Sequence, residues 1–430
     1  MADFTGNGRL DLVVVSDHAG YNNLLINEGV DETGAFKFRK RSYDTKDRYL
    51  ILNKAWNQCA GYVKAYDFNS DGYMDFFLAG SNSSSATYYC LNTPDDPGKF
   101  SIKKFPTTRY VPSFDIADVN NDGYPDVYFS GEYKNGWFNQ IYAYDSATDK
   151  FKLWNTLPWQ NNDICMGYRS SVFVDWDGDG IVDIIQTGRS DTELSFGQNL
   201  DSRASKIRIN YGDGTEWKDP ILTAGSNMNT GILSDMNNDG VVDYLRNGSN
   251  DLAVSLDDLN YSRGNLFTAT LNPSTTVYQP EAPVLNEPVI DSTTVTLSWE
   301  APASAKGNET YEYVVFDSKD RRVAGTGVAD VESGKRKVFA NGNACQAKQV
   351  KLTLPNGKYT YAVQTVSTAY VGSKFVTGKF KIAAAGIGKN KVKKSKATAY
   401  YSLNGMQVQA DAPGISIVRY EDGTARKVKK

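Results

Sequence analysis

A nine-residue acidic pattern that recurs five times is the feature that most limits how this chain can fold. Four copies begin and end on aspartate and carry Asp-Gly at positions five and six. They occupy residues 67–75, 118–126, 175–183 and 235–243, and a weaker copy occupies residues 3–11. Because successive copies start 51 to 64 residues apart, the sequence predicts a repeat architecture with one acidic loop in each structural unit.

Short apolar stretches flank the acidic pattern on both sides. Residues 61–66 precede the second copy and residues 76–80 follow it, and both stretches are rich in aromatic and small apolar side chains. A helix would need apolar residues every three to four positions, which these flanks lack. Each copy is therefore predicted to be a loop between two β-strands, which excludes an EF-hand with its flanking helices.

The oxygen-bearing positions of the pattern suit a hard cation. Side chains at positions 1, 3, 5 and 9 and the backbone carbonyl at position 7 give the oxygen ligands that Ca²⁺ prefers, whereas Mg²⁺ demands stricter geometry. Asp-Gly also favours ordinary hairpin turns, but a turn does not need the ninth aspartate that all five copies keep. We therefore expect four to five Ca²⁺ ions, the first loop binding weakly. The candidate ligands are Asp3, Thr5, Asn7, Arg9, Asp11, Asp67, Asn69, Asp71, Tyr73, Asp75, Asp118, Asn120, Asp122, Tyr124, Asp126, Asp175, Asp177, Asp179, Ile181, Asp183, Asp235, Asn237, Asp239, Val241 and Asp243.

The acidic loop followed by apolar residues and, in four copies, a glycine resembles the FG-GAP/VCBS repeat of integrin-α-type β-propellers. The resemblance covers residues 2 to about 275. It implies an all-β fold in which each repeat is a four-stranded blade and the calcium loop joins its first two strands. Such propellers usually have seven blades, and five repeats are visible here. Either further blades precede Met1, which we favour, or residues 250–280 complete the first blade.

Two further modules are predicted after the propeller, which we place at residues 1–278. Residues 279–385 resemble an immunoglobulin-like fibronectin type III β-sandwich, in which Trp299 would be a core residue and Tyr359 a tyrosine corner. A lysine-rich linker follows at residues 386–396. Residues 397–430 are expected to form three short strands and resemble the C-terminal sorting domain of type IX secretion cargo. That resemblance implies export through outer-membrane secretion machinery.

The amino-acid composition argues against several classes of function. The net charge of −3 argues against a nucleic-acid partner, and no apolar run is long enough for a transmembrane segment. His18 is the single histidine, which removes most histidine-dependent triads and histidine-ligated zinc sites from consideration. The four scattered cysteines are expected to be buried free thiols, with a Cys59–Cys90 disulfide as the alternative.

The resemblances to the propeller repeat and to the sorting domain imply a secreted or cell-surface bacterial protein that binds an extracellular glycan or protein. We expect a non-catalytic adhesion module, because the clustered carboxylates are assigned to calcium. The alternative is a polysaccharide lyase or another glycan-degrading enzyme on the same scaffold. Ligand contacts are expected on the face opposite the calcium loops, where aromatic and arginine side chains suit sugars: Trp56, Arg109, Tyr110, Trp137, Tyr168 and Arg169.

Overall fold

The computed structural model is all-β, as the sequence predicts, and no helix occurs among its described residues. It describes residues 1–15, 23–40, 60–80, 87–106, 113–133, 136–157, 171–186, 206–210, 212, 214–218, 221–222, 230–249, 265–325, 327–383, 396–421 and 425–429. Residues Met1–Ile382 form one compact unit and Ala383–Lys430 a second. Within the described part of the chain, no helix is long and apolar enough to cross a bilayer.

Five antiparallel sheets follow one another along the first unit, and we call them blades 1 to 5. Blades 2 to 4 have the four strands that the repeat predicts, whereas blades 1 and 5 show three each in the described residues. Blade 1 contains β1 (Leu12–Val14), β2 (Asn23–Val30) and β3 (Phe36–Lys40); blade 2 contains β4 (Ala60–Tyr66), β5 (Asp75–Gly80), β6 (Tyr88–Asn92) and β7 (Phe100–Lys104); blade 3 contains β8 (Ser113–Ala117), β9 (Asp126–Tyr133), β10 (Gly136–Asp145) and β11 (Lys150–Thr156); blade 4 contains β12 (Val172–Val174), β13 (Asp183–Gln186), β14 (Lys206–Arg208) and β15 (Ile221–Leu222); blade 5 contains β16 (Thr230–Ser234), β17 (Asp243–Ser249) and β18 (Asn265–Thr270).

The acidic loops connect the first two strands of their blades, as predicted. In blade 2, for example, Tyr66 pairs with Asp75 across the two ends of the loop. In blade 1 an isolated bridge between Ala2 and Asp11 stands in for the first strand. The alternative in which residues 250–280 complete blade 1 is wrong for the described part of that segment, because β18 pairs with β17 inside blade 5.

Aromatic and branched side chains fill the spaces between successive blades. The Phe4 and Phe76 ring centroids lie 5.8 Å apart between blades 1 and 2, and those of Phe77 and Phe129 lie 5.5 Å apart between blades 2 and 3. Such ring pairs add about 0.5–1.5 kcal/mol each beyond the burial of their area. Trp176 is buried in the cluster that joins blades 4 and 5.

A β-sandwich follows the blades, and Trp299 is buried between its sheets as predicted. The Tyr359 hydroxyl donates to the Pro355 carbonyl at 2.6 Å, which is the geometry of a tyrosine corner. Membership of the fibronectin type III family stays a prediction. One sheet contains β19 (Val284–Leu285), β20 (Val289–Asp291), β21 (Thr294–Glu300) and β24 (Gln349–Thr353), and the other contains β22 (Thr310–Asp317), β23 (Arg322–Gly325), β25 (Gly357–Val366) and β26 (Val376–Ile382).

The described residues of the second unit form a sheet of four strands, so the prediction of three strands was wrong by one. The order is β28-β27-β29-β30, with β27 at Ala397–Tyr401, β28 at Gln407–Val408, β29 at Ile415–Tyr420 and β30 at Ala425–Lys429. The two-residue strand β28 was missed because it follows the Asn404-Gly405 turn too closely to show an alternating pattern.

In the first unit, Cys90 is buried and free, so the Cys59–Cys90 alternative is wrong, and Cys345 is also buried and free.

A recurring asparagine at the end of the third strand connects neighbouring blades. The side-chain amide of Asn92 in blade 2 donates to the Phe4 carbonyl of blade 1 at 2.8 Å and to the Met74 carbonyl of its own blade at 2.9 Å. In blade 5, Asn272 donates in the same way to the Trp176 carbonyl of blade 4 at 2.7 Å. These asparagines are buried, so each bond satisfies a carbonyl that water cannot reach.

We predict that Asn92→Ala destabilises the blades more than Asn27→Ala does. Asn27 occupies the same position in blade 1, and its amide donates to the Leu10 carbonyl inside that blade. Leaving a buried carbonyl unsatisfied costs about 1–3 kcal/mol. Because only Asn92 bonds to a neighbouring blade, the loss in opening free energy should be at least about 1 kcal/mol larger for Asn92→Ala than for Asn27→Ala. Hydrogen exchange of the peptides from blades 1 and 2 measures the opening free energies. Equal losses would contradict a stabilising role for the interblade bond.

Candidate metal centres

The five acidic loops share one backbone conformation. At position 4 the φ angle is positive in every loop, including the non-glycine residues Ser70, Asn121 and Asn238 at 55°, 58° and 60°. The glycine at position 6 is also left-handed, with φ between 84° and 90° in all five loops. A left-handed serine is uncommon, so this conformation is held by the interactions around it. Sequence reasoning noted the glycine but missed position 4, where only Gly, Ser and Asn occur.

The first aspartate of each loop gathers backbone N–H groups from the later half of the loop. In blade 2, Asp67 accepts from Asp71 N at 3.2 Å and from Gly72 N at 2.9 Å. Asp118 and Asp235 accept the corresponding pairs of bonds in blades 3 and 5. These bonds curl the backbone around the carboxylate, so the side chains at positions 1, 3 and 5 converge.

The ninth aspartate is buried and bonded to the backbone at both oxygens in four of the blades. In blade 4, Asp183 Oδ2 accepts from Trp176 N at 2.7 Å, and Oδ1 accepts from Asn210 N at 2.8 Å. The same two contacts recur at Asp11, Asp75 and Asp243. The ninth aspartate therefore links the loop to the third strand of its blade, which explains why the pattern needs it.

Blade 3 departs from this arrangement. Tyr142 pairs with Val127, which places Tyr144 at the register position that asparagine occupies in the other blades. The Tyr144 hydroxyl donates to Asp149 Oδ1 at 3.0 Å, and Asp126 Oδ1 is buried without a hydrogen-bond partner. This loop therefore holds a carboxylate oxygen whose charge the protein does not compensate.

The fourth loop has the most concentrated negative charge. Carboxylate oxygens of Asp175, Asp177 and Asp183 all lie within 4.8 Å of one another, and Asp177 Oδ1 is a second buried oxygen without a hydrogen-bond partner. Like charges at this spacing repel strongly in a buried site. Oxygen ligands from three carboxylates, one of them unsatisfied, are what a hard divalent cation binds. The residues present therefore fit such a cation.

Burial makes the loop carboxylates hard to ionise in the absence of a cation. It raises the pKa of Asp118 and that of Asp175 to about 7, although backbone N–H donors act in the opposite direction. Burial and the neighbouring Asp67 carboxylate place the pKa of Asp75 well above its usual range. A bound cation would remove this penalty, because it favours the ionised form of every carboxylate around it.

A cavity of about 870 Å³ lies among the first strands of the blades and the sandwich. Its charged lining includes Lys64 of blade 2, whose ammonium pairs with Asp115 Oδ1 of blade 3. Asp115 Oδ2 also accepts from Phe173 N of blade 4 at 2.8 Å. This acid–base pair thus connects three blades, and we assign it a structural role.

The residues predicted to contact a ligand lie outside what the structure describes. Trp56, Arg109, Tyr110, Tyr168 and Arg169 are in undescribed segments. Trp137 lies on β10, where its backbone pairs with Glu132, but its side chain is not described. The ligand face therefore stays a prediction.

Comparison with known proteins supports the repeat. Residues 67–129 match the FG-GAP-like repeat family. That segment contains the acidic loops of blades 2 and 3 and the strands between them. No curated protein sequence matches this chain.

Two solved structures are similar to the chain at a low level. One is a fungal alcohol oxidase of the AA5 family in complex with copper, with 10% identity over 87% of this chain and 74% of the other, at a TM-score of 0.37. The other is the exotype rhamnogalacturonan lyase YesX, with 13% identity over 100% of this chain and 71% of the other, at a TM-score of 0.33. Likenesses at this level carry no argument about activity.

Proposed function

We propose that this chain is an extracellular, calcium-binding, propeller-type protein that acts as a non-catalytic binding module. The observation that carries the proposal is the shared conformation of five acidic loops, each of which buries at least one carboxylate at a position that suits a hard cation. Calcium is the best fit because the ligand set contains carboxylates, amides and backbone carbonyls of mixed geometry, without histidine or cysteine. The FG-GAP-like match at residues 67–129 agrees with this choice.

The acidic residues have structural roles that do not involve a substrate. The first and ninth aspartates accept backbone N–H groups within their blades, and the Lys64–Asp115 pair connects neighbouring blades. A catalytic acid and base would instead be expected to face a substrate cleft in different protonation states. These contacts favour a binding module over the lyase alternative.

We predict that calcium raises the melting temperature and that Asp179→Ala loses more of this gain than Asn7→Ala. Both residues hold position 5, and both accept the same backbone bond, from Ile181 N at 2.8 Å and from Arg9 N at 2.9 Å. The two residues therefore differ in charge, because Asp179 has a carboxylate where Asn7 has a neutral amide. With affinities of about 10⁻⁴–10⁻³ M, millimolar calcium should stabilise the fold by roughly 1 kcal/mol per loop.

Differential scanning calorimetry with calcium and with EDTA checks this prediction. In EDTA the two variants should melt at similar temperatures. In calcium, only Asp179→Ala should lose the increase in melting temperature that one strong calcium loop contributes. A wild-type melting temperature that EDTA leaves unchanged would refute the calcium assignment.

For the ligand, we propose an extracellular glycan or protein bound on the face opposite the acidic loops. Aromatic rings stack on the apolar C–H patches of a sugar, and arginine donates to its hydroxyl groups. The predicted contacts Trp137 and Arg169 supply these two features.

We predict that Trp137→Ala and Arg169→Ala each weaken glycan-array binding by about tenfold, equivalent to roughly 1.4 kcal/mol. Phe36→Ala is the matched control, because this aromatic side chain is 73% exposed on the outer strand of blade 1. The calcium-dependent melting curve should not move in any of the three. Unfolding of both test variants would show that these side chains belong to the core and would contradict the assignment.

For localisation, we propose secretion to the bacterial cell surface, with residues 397–430 as the segment that the secretion machinery reads. Support comes from the separate compact unit at Ala383–Lys430 and from its small sheet with a tight turn at Gly405, where φ is 84°. A sheet this small has little core of its own, which suits an address segment better than a binding domain.

We predict that deleting residues 397–430 blocks surface display without destabilising the propeller. The stability of the blades should stay within about 0.5 kcal/mol, the range expected when no packing is lost. In a host with the secretion system, the truncated chain should accumulate in the periplasm, which cell fractionation measures. Normal surface display of the truncated chain would refute the sorting role.

A further inference from the structure

The β-sandwich lies directly on the acidic loops of the first two blades. Thr353 N donates to the Gly6 carbonyl in the loop of blade 1 at 2.7 Å. In blade 2, the Gln349 side chain donates to the Ser70 carbonyl at 3.3 Å. Gly6 and Ser70 are the left-handed residues at position 4 of their loops. The sandwich thus contacts the point at which each loop reverses.

The loop of blade 4 makes a third set of contacts with the sandwich. Asp175, the first residue of this loop, donates its N–H to the Thr368 carbonyl at 3.1 Å. The Thr368 hydroxyl in turn donates to the Gly180 carbonyl at 3.3 Å. Beside these bonds, the Tyr370 hydroxyl donates to the Phe173 carbonyl of β12 at 2.5 Å. One turn of the sandwich therefore contacts the first residue of the acidic loop and the glycine at its sixth position.

In blade 3 a sandwich side chain reaches a candidate ligand itself. Gln346 Nε2 donates to Asp118 Oδ2 at 2.9 Å, and the Tyr66 hydroxyl donates to Gln346 Oε1 at 3.1 Å. Gln346 is 6% exposed, so the pair is sheltered from water. Asp118 is the first aspartate of its loop, and its carboxylate, which already accepts two backbone N–H groups of that loop, also accepts a bond from a residue 228 positions away in the chain.

A second side chain of the sandwich points to the same loop. Asn308 is 4% exposed, and both of its side-chain polar atoms are buried without a hydrogen-bond partner. It lines a space of about 10 Å³, the size of one water, together with Asp118 and Thr368. Such a polar space beside a carboxylate is suited to a water that joins the sandwich to the metal loop.

The loop of blade 5 provides a natural contrast. Met236, Asn237 and Asp239 are exposed, and the hydrogen bonds of residues 235–243 in the described part of the chain stay inside blade 5. This loop has the same backbone conformation as the others, with Asn238 at φ 60°. The blade 5 loop therefore serves as an internal control for an acidic loop that has no hydrogen bond to the sandwich.

We propose that the β-sandwich completes the metal loops of the neighbouring blades, with Gln346 as a positioning residue for the blade 3 site, and that calcium binding and sandwich docking are coupled. The inference rests on the proposed calcium function. A residue that orients a metal ligand typically changes metal affinity by 10- to 100-fold when it is removed. By linkage, the factor by which sandwich docking raises calcium affinity in these loops is also the factor by which bound calcium tightens the sandwich on the blades.

Hydrogen exchange of the full chain, titrated with CaCl₂, tests the coupling loop by loop. Peptides that cover residues 118–126 and 235–243 give separate calcium midpoints for blades 3 and 5. Gln346→Ala should raise the blade 3 midpoint by about tenfold and leave the blade 5 midpoint within twofold. In the unsubstituted chain, calcium should also slow exchange in the sandwich segments 341–346 and 367–372.

Two further variants keep the test decisive. Tyr66→Phe removes the hydroxyl that holds Gln346 and should give a smaller shift of the blade 3 midpoint in the same direction. Thr377→Ala, at an exposed position on the outer strand β26 of the sandwich, should shift neither midpoint.

Each remaining outcome has a definite meaning. Equal shifts of both midpoints in Gln346→Ala, or no shift in either, would overturn the coupling while leaving calcium binding intact. Calcium midpoints that move without any protection of segments 341–346 and 367–372 would also overturn it. If calcium protects no loop of the unsubstituted chain, the calcium proposal itself fails, and the coupling fails with it.

Discussion

A buried carboxylate at the end of each acidic loop is the constraint on which the blades depend. The ninth aspartate accepts an N–H from the start of its loop and, in four blades, another from the third strand, as at Asp183. These bonds fix where the loop closes and where the third strand ends. They also bury negative charge, which is costly unless it is compensated. The same residue therefore organises the blade and creates the need for a cation.

The blades and the sandwich are joined by polar contacts as well as by packing. Asparagines such as Asn92 bond to the carbonyl of the preceding blade, and aromatic pairs such as Phe77 and Phe129 fill the space between blades. The sandwich contacts the acidic loops of blades 1 to 4, and Gln346 reaches Asp118 in blade 3. Because buried polar groups are costly to leave unpaired, these contacts tie the acidic loops of blades 1 to 4 to the sandwich within one unit.

The sequence predicted what is encoded locally and repeated. The loops, their flanking strands, the all-β class and the core position of Trp299 follow from short patterns. Long-range contacts left no such signal. The Asn92 bond to Phe4 spans 88 residues and the Gln346 bond to Asp118 spans 228, so nothing in either neighbourhood marks the partner. The docking of the sandwich on the loops was missed for that reason.

The number of calcium ions bound by the intact chain tests the central claim most directly. Native mass spectrometry of the full chain, equilibrated with millimolar calcium and compared with the chelated protein, counts these ions without assigning any of them to a loop. The account predicts a mass increase equal to four or five calcium ions, with the weakest lost first on dilution. A mass that stays equal to that of the chelated chain would contradict it.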